Sequence, residues 1–438
     1  MKILFSVPPA LAHIYPVVPL AGALQGAGHE VRVATHPEMT DAVSRLGLFA
    51  VPVGGEGFVE SSKGSCEGLY ERLEAALAPE LAQGGTQRLP SKPFLEAFAR
   101  YFSPEPTGSA TTTVVEDLVA FARGWRPDLV LWDMVSFPGA VAAHASGAAH
   151  ARVVLSVDDF AWARLTLVDR LRGTGEADPM AAMMEPVLRR LGIGFHEDLL
   201  LGQWTVDHSP AIRARLPLDL RYVHSRPLPF NGSAVVPPWL YEDAGRPRVA
   251  LSLGAGMRSF YPDDSTIDLE ALFGAAEKLG LEVVATLDGS QLRQVRRVPD
   301  NVRLIDYLPL NLLLPTCRAV IHHGGGGTMA AAVPHELPQL IWPEDSHYYQ
   351  DFARYVERAG AGLVIDPHAA SAPTIAEYLD RLVNDPSLKE GAAGLHRDLL
   401  SVPSPAEVVP TLQALTQEYR GRGTGPAAAT AGTRGMQA

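Results

Sequence analysis

The residues that first invite a chemical reading are AVIHHGGGGTMAA (319–331): two adjacent histidines, four glycines and a threonine between an apolar run and a helix-forming one. Glycines let a backbone approach a ligand closely, and the amides that open a helix point their N–H groups outward. At the carboxyl end of a buried strand, where open α/β sheets bind ligands, such a turn suits a diphosphate. Amides and the Thr328 hydroxyl would bind oxygens, Thr328 would open the helix, and a histidine would add a donor. The plain alternative is a flexible strand-to-helix turn with two structural histidines.

A second constellation pairs His13 with Asp133. His13 stands just past the first apolar run, before Pro16 and a helix, and Asp133 ends the run PDLVLWD (127–133). In a doubly wound sheet those strands are near neighbours, which puts an Asp–His contact within reach. A carboxylate accepting from one ring nitrogen fixes the tautomer and raises the basicity of the other. Each residue also has a simpler reading as the cap of a nearby helix. Asp345 and Ser346, in WPEDSHYYQ (342–350), fall beside the glycine-rich turn on the same edge. They would read hydroxyls of whatever the phosphate carries, or cap a helix.

Competing chemistries lack their residues. No G-x-G-x-x-G follows the first strand, and neither a P-loop, an H-E-x-x-H, a C-x-x-C nor a G-x-S-x-G elbow occurs. His322 and His323 are adjacent, so they cannot share one helix face to chelate zinc. The reading calls for no metal and no cofactor.

The elements that must position these residues recur as short Val/Ile/Leu runs separated by helix-length segments. They are 2–7, 30–35, 49–53, 128–133 and 151–156, then 248–253, 281–287, 302–307, 319–323, 339–343 and 362–366. Continuous rather than alternating apolar runs suit parallel strands buried on both faces. Two βα series predict an α/β protein of two Rossmann-like, doubly wound parallel-sheet domains facing a cleft. The expected boundaries are 1–220 and 248–405, joined by a Pro- and Gly-rich connection over 221–247. A helix over 406–420 is expected to return to the first domain, with a disordered tail over 421–438. Residues 54–92 and 172–186 interrupt the first domain as loops.

Composition narrows the class. The 438 residues carry a net charge of -12, which argues against a protein that tracks nucleic acid. Two cysteines, Cys66 and Cys317, are expected to be free thiols of a cytoplasmic protein. The start MKILFSVPPALAHIYP lacks the pattern of a signal peptide, and no apolar run is long enough to span a membrane.

Taken in order, His13 through GHEVRVAT (28–35), PDLVLWD, AAHARVVLS (148–156), VRLIDYLPLNLLLPTCRAVIHHGGGGT (302–328) and PQLIWPEDS (338–346) resemble the GT-B-fold glycosyltransferases of bacterial natural-product pathways. The likeness runs over nearly the whole chain. EDLLLGQWTVDHSP and RYVHSRPLPFNGSAVVPPWL bring it nearest to transferases of dTDP-deoxysugars onto macrolides and aromatic polyketides.

The resemblance implies an inverting, metal-independent transferase with His13 as base and Asp133 as its partner. It implies that His322, Gly325, Gly326, Gly327 and Thr328 hold the donor diphosphate. It places the nucleotide base and sugar near Ser252, Tyr307, Leu308, Asp345 and Ser346. The implied partners are a nucleotide-sugar donor, with dTDP favoured, and a small-molecule aglycone. An auxiliary activator protein and a homodimer remain open. Two departures stand out: many relatives have Asp-Gln at Asp345-Ser346, and a glycine at Glu336. A nucleotide-sugar epimerase of the same architecture and a non-catalytic sugar-nucleotide-binding subunit are the competing readings.

Overall fold

The computed structural model describes residues 1–55, 67–82, 89–102, 112–242, 245–254, 267–287, 289, 291–292, 295–343, 347–366 and 370–421. Cys66, parts of the 54–92 segment and the tail from residue 422 lie outside the described residues. Cys317 is a free thiol.

The first sheet takes β1 (Lys2–Ser6), β2 (Glu30–Thr35), β3 (Phe49–Pro52), β4 (Leu129–Asp133), β5 (Ala149–Val154), β6 (Trp204–Asp207) and β7 (Tyr222–His224). The second takes β8 (Arg248–Ser252), β9 (Glu282–Thr286), β10 (Val302–Ile305), β11 (Ala319–His322), β12 (Gln339–Ile341) and β13 (Gly362–Val364). Their orders are β3-β2-β1-β4-β5-β6-β7 and β10-β9-β8-β11-β12-β13, with adjacent strands parallel. Both are doubly wound. The strand order reverses between β1 and β4 in one sheet and between β8 and β11 in the other, and such switch points open ligand crevices at the strands' carboxyl ends.

Every strand expected from the sequence forms, most with slightly shifted ends. Two strands, β6 and β7, add to them. The segment read as a connection from residue 221 therefore opens with a strand: β7 pairs with β6 as Thr205↔Tyr222 and Val206↔Val223. A three-residue edge strand next to prolines carries too little periodicity to be read in advance.

Strand alternation divides the first core into two layers. Leu4, Val130 and Trp132 face one apolar cluster with Phe94, Phe98 and Phe137. Ile3, Phe5, Leu129 and Leu131 face the other, with Val17, Leu20 and Leu24 of the helix Leu11–Gly26. The same second layer contains Val408, Val409, Leu412 and Leu415 of the helix Pro405–Tyr419. That helix starts at a capping box, Ser404 with Glu407. Between the domains, Ala211 packs with Met329 and Val333, and Arg213 Nη2 donates to Asp398 Oδ1 at 3.0 Å. No helix among the described residues is long and apolar enough to cross a membrane.

Candidate active site

At the first switch point, Ser6 of β1 lies in register with Trp132 of β4, so Asp133 stands one step beyond that pair at the sheet's edge. The helix Leu11–Gly26 follows β1 with Ala10 as N-cap, and no side chain caps it. His13 is thus the third helical residue and not the cap. Its Nδ1 lies 2.9 Å from Asp133 Oδ2. The other carboxylate oxygen of Asp133 accepts the Val135 amide at 3.0 Å. Asp133 therefore does not cap the following helix, Pro138–Ser146, whose N-cap is Phe137; one oxygen closes the local turn and the other meets His13. Ser6 and Ser136 hydroxyls, 2.8 Å apart and buried, tie β1 to the turn after Asp133.

The Asp133 side chain is fully buried, while 30% of the His13 side chain remains exposed. Burial by itself lowers a histidine pKa. Here the Asp133 charge and hydrogen bond outweigh burial and raise His13 above its ordinary value of 6.5. Because the carboxylate is an acceptor, Nδ1 carries the proton, and the neutral ring then has its lone pair on Nε2.

At the second switch point Ser252 ends β8 in register with His322, the last residue of β11. His322 is fully buried with both ring nitrogens engaged: Nε2 donates to Gln339 Oε1 at 3.0 Å, and Nδ1 accepts the Gly324 amide at 3.1 Å. Burial lowers its pKa to about 4, so the ring is neutral. His322, expected to donate to the diphosphate, thus has both ring nitrogens engaged by protein groups at the buried end of β11.

His323 is the ring set within the turn. It stands edge-on to Tyr349 with centroids 5.1 Å apart. An added Cβ would lie 2.6 Å from the ring at Gly254 and 2.7 Å from it at Gly325. Gly254 also has φ +78°, so glycine is needed there for shape as well as space. Burial, then the neighbouring His322, lowers the His323 pKa to about 3.

The helix after the turn spans Gly326–Ala332 with Gly325 as N-cap, opening two residues before Thr328. The amides of Gly326 and Gly327 occupy its first two positions, which have no acceptor within a helix. Thr328 is buried in the first turn. The helix runs into Glu336, a non-glycine residue at φ 52°, whose Oε1 takes His396 Nδ1 at 3.1 Å.

Tyr307 and Leu308 follow β10. Tyr307 is 39% exposed, whereas Leu308 is buried among Leu310, Leu313 and Leu314 and offers a ligand only its backbone. The Tyr307 hydroxyl donates to the Asn231 carbonyl. Asp345 and Ser346 lie outside the described residues.

One group among the described residues has metal-ligating spacing: His144, His150 and Asp198. His144 Nε2 lies 2.9 Å from Asp198 Oδ1, and His150 Nε2 lies 3.7 Å from Oδ2. Trp132 Nε1, which can only donate, sits 3.2 Å from His150 Nδ1. The neutral His150 ring therefore carries its proton on Nε2, the atom a metal would need. The cluster is a polar element of the core built around Asp198, and its histidines hold the Asp198 carboxyl below the usual carboxylate range against the effect of burial.

Two family models cover most of the chain: erythromycin biosynthesis protein CIII-like, N-terminal domain, over residues 22–254, and the corresponding C-terminal domain over 270–415. The chain is similar to an aclacinomycin-T 2-deoxy-L-fucose transferase of Streptomyces galilaeus, 40% identical over 433 residues that cover 96% of this chain and 97% of that protein. A 10-deoxymethynolide desosaminyltransferase of Streptomyces venezuelae is 39% identical over 414 residues, covering 93% and 95%. The crystal structure of the glycosyltransferase VinC in complex with dTDP matches with a TM-score of 0.79 at 32% identity, over 95% of this chain and 100% of that one. The chain belongs to the erythromycin biosynthesis protein CIII-like family and is a glycosyltransferase of the GT-B fold.

Proposed function

We propose that the enzyme moves a deoxysugar from a dTDP-sugar to a hydroxyl of a polyketide-type aglycone, with inversion at the anomeric carbon and His13 as base. The observation that carries this reading is the 2.9 Å contact of His13 Nδ1 with Asp133 across the first switch point. It sets the tautomer whose Nε2 can accept a proton. The relatives named for transfer of 2-deoxy-L-fucose and of desosamine, and the dTDP held by VinC, support the donor and acceptor classes.

In the proposed step the acceptor hydroxyl gives its proton to His13 Nε2 as its oxygen bonds to the anomeric carbon. The bond from that carbon to the diphosphate oxygen breaks on the opposite face, and dTDP departs. Asp133 stabilises the imidazolium that forms. General-base help of this kind contributes about 100- to 10,000-fold in rate. The Gly325–Gly327 backbone, Thr328 and His323 meet the charge on the leaving diphosphate, with His322 fixing the shape of the turn from below. The base lies against Tyr307 and the Leu308 backbone near Ser252, and Asp345 and Ser346 read the sugar.

The test is product analysis with dTDP-deoxysugars and polyketide aglycones, with anomeric configuration read by NMR. A glycoside of inverted configuration supports the reading. Retention would remove direct displacement, and a better yield from UDP-glucose would overturn the dTDP-deoxysugar assignment.

A further inference from the structure

The stretch Pro229–Gly232 joins two parts of the molecule that the sequence places far apart. On the first-domain side, Phe230 meets Tyr15 edge-on with centroids 5.6 Å apart, and Tyr15 lies two residues past His13 on the same helix. Towards the second domain, the Tyr307 hydroxyl donates to the Asn231 carbonyl. The Asn311 amide donates to Asn231 Oδ1 at 3.3 Å, and Asn311 Nδ2 donates to the Pro229 carbonyl at 3.3 Å.

Gly232 closes the arrangement. Its φ is +74°, and an added Cβ would stand 3.1 Å from the Tyr15 hydroxyl and 3.1 Å from the Tyr307 hydroxyl. The two phenol tips thus converge on the one position that has no side chain. Tyr15 and Tyr307 follow β1 and β10 and belong to different domains, so the carboxyl edges of the two sheets are turned towards a common space at Gly232.

We propose that Pro229–Gly232 is a positioning strap that holds the turn at Tyr307–Leu308 against the helix bearing His13, so that nucleotide affinity depends on Phe230 and Asn231 of the connection between the domains. The proposal rests on the reading of Tyr307–Leu308 as the seat of the donor base. Phe230 and Asn231 act through their neighbours and are positioning residues. A rigid tie of this kind makes a contact in one domain count as binding energy in the other.

The test is calorimetric titration of the full chain with dTDP, using Phe230→Ala, Tyr307→Phe, the double variant and Phe230→Tyr. Phe230→Ala and Tyr307→Phe should each weaken dTDP binding about fivefold or more. The losses should fail to add in the double variant, because one element carries both. Phe230→Tyr keeps the ring and should keep affinity, and a Phe230→Ala loss of affinity at unchanged melting temperature separates positioning from a merely structural loss. Should Phe230→Ala melt, Asn311→Ala removes the side-chain bond to the Pro229 carbonyl without altering the seat of the base and carries the test beside Tyr307→Phe. Unchanged affinity in both variants, with the wild type binding dTDP, overturns the strap. If the wild type does not bind dTDP, the donor reading itself fails and the strap falls with it.

Discussion

His322 and Gly324 close a small ring beneath the glycine-rich turn, the Gly324 amide donating to His322 Nδ1 at 3.1 Å while Gln339 holds the other nitrogen. The two adjacent histidines therefore have separable effects. His322→Ala leaves a buried amide and the Gln339 carbonyl without partners, which costs about 1–3 kcal/mol, and should lower the melting temperature. His323→Ala should keep the fold and weaken dTDP binding about tenfold, or about 1.4 kcal/mol. Melting curves and calorimetry on both variants check the split.

The raised pKa of His13 gives the sign of a pH effect. A base must be neutral, so kcat/KM should fall as pH drops through a value above 6.5, the ordinary histidine value. Asp133→Asn removes the negative charge and leaves at most a neutral hydrogen bond against burial, so this acid limb should move to lower pH while the maximum rate falls. The pair's stabilisation runs in the opposite sense to activity: it is fully present below the unfolded-state pKa and is lost as pH rises through the raised folded one. Rate profiles of the two enzymes over pH 5–9 are the check, and an unmoved limb would exclude His13 as the titrating group.

Glu336 occupies the left-handed region at φ 52°. A non-glycine residue there costs about 1 kcal/mol or more, and the partly exposed pair with His396 returns about 0.5 kcal/mol. Glu336→Gly should therefore be neutral to slightly stabilising in urea denaturation. A loss above about 1 kcal/mol would show that the His396 contact outweighs the strain.

Gly139 lies where the first domain leaves no room. A Cβ there would stand 2.5 Å from Trp132 Cβ and 2.9 Å from Ser6 Cβ, beside the Asp133 turn. Gly139→Ala should cost about 1–3 kcal/mol or more by overpacking and shift the Ser6–Ser136 contact. Denaturation midpoints measure the loss, and wild-type stability would contradict the packing described.

The parts of this molecule legible in the sequence are those set by local pattern. Buried Val/Ile/Leu runs announce parallel strands, and a polar residue just past such a run sits at a carboxyl edge, which is how His13 and Asp133 could be paired across 120 residues. His322 and His323 could not be ranked that way, since their difference depends on which one still points into the packed layer. Edge strand β7 was hidden by its length and its proline neighbours. The strap at Phe230–Gly232 was out of reach because Tyr15 and Tyr307 meet there only once two domains have docked.

The most direct test of the central claim is His13→Ala, with turnover on a dTDP-deoxysugar and polyketide aglycone and dTDP affinity measured on the same protein. The account predicts turnover lower by about 100- to 10,000-fold, with dTDP affinity within a factor of about two of wild type. Turnover near wild type, or loss of nucleotide binding together with activity, would contradict the assignment of His13 as the base.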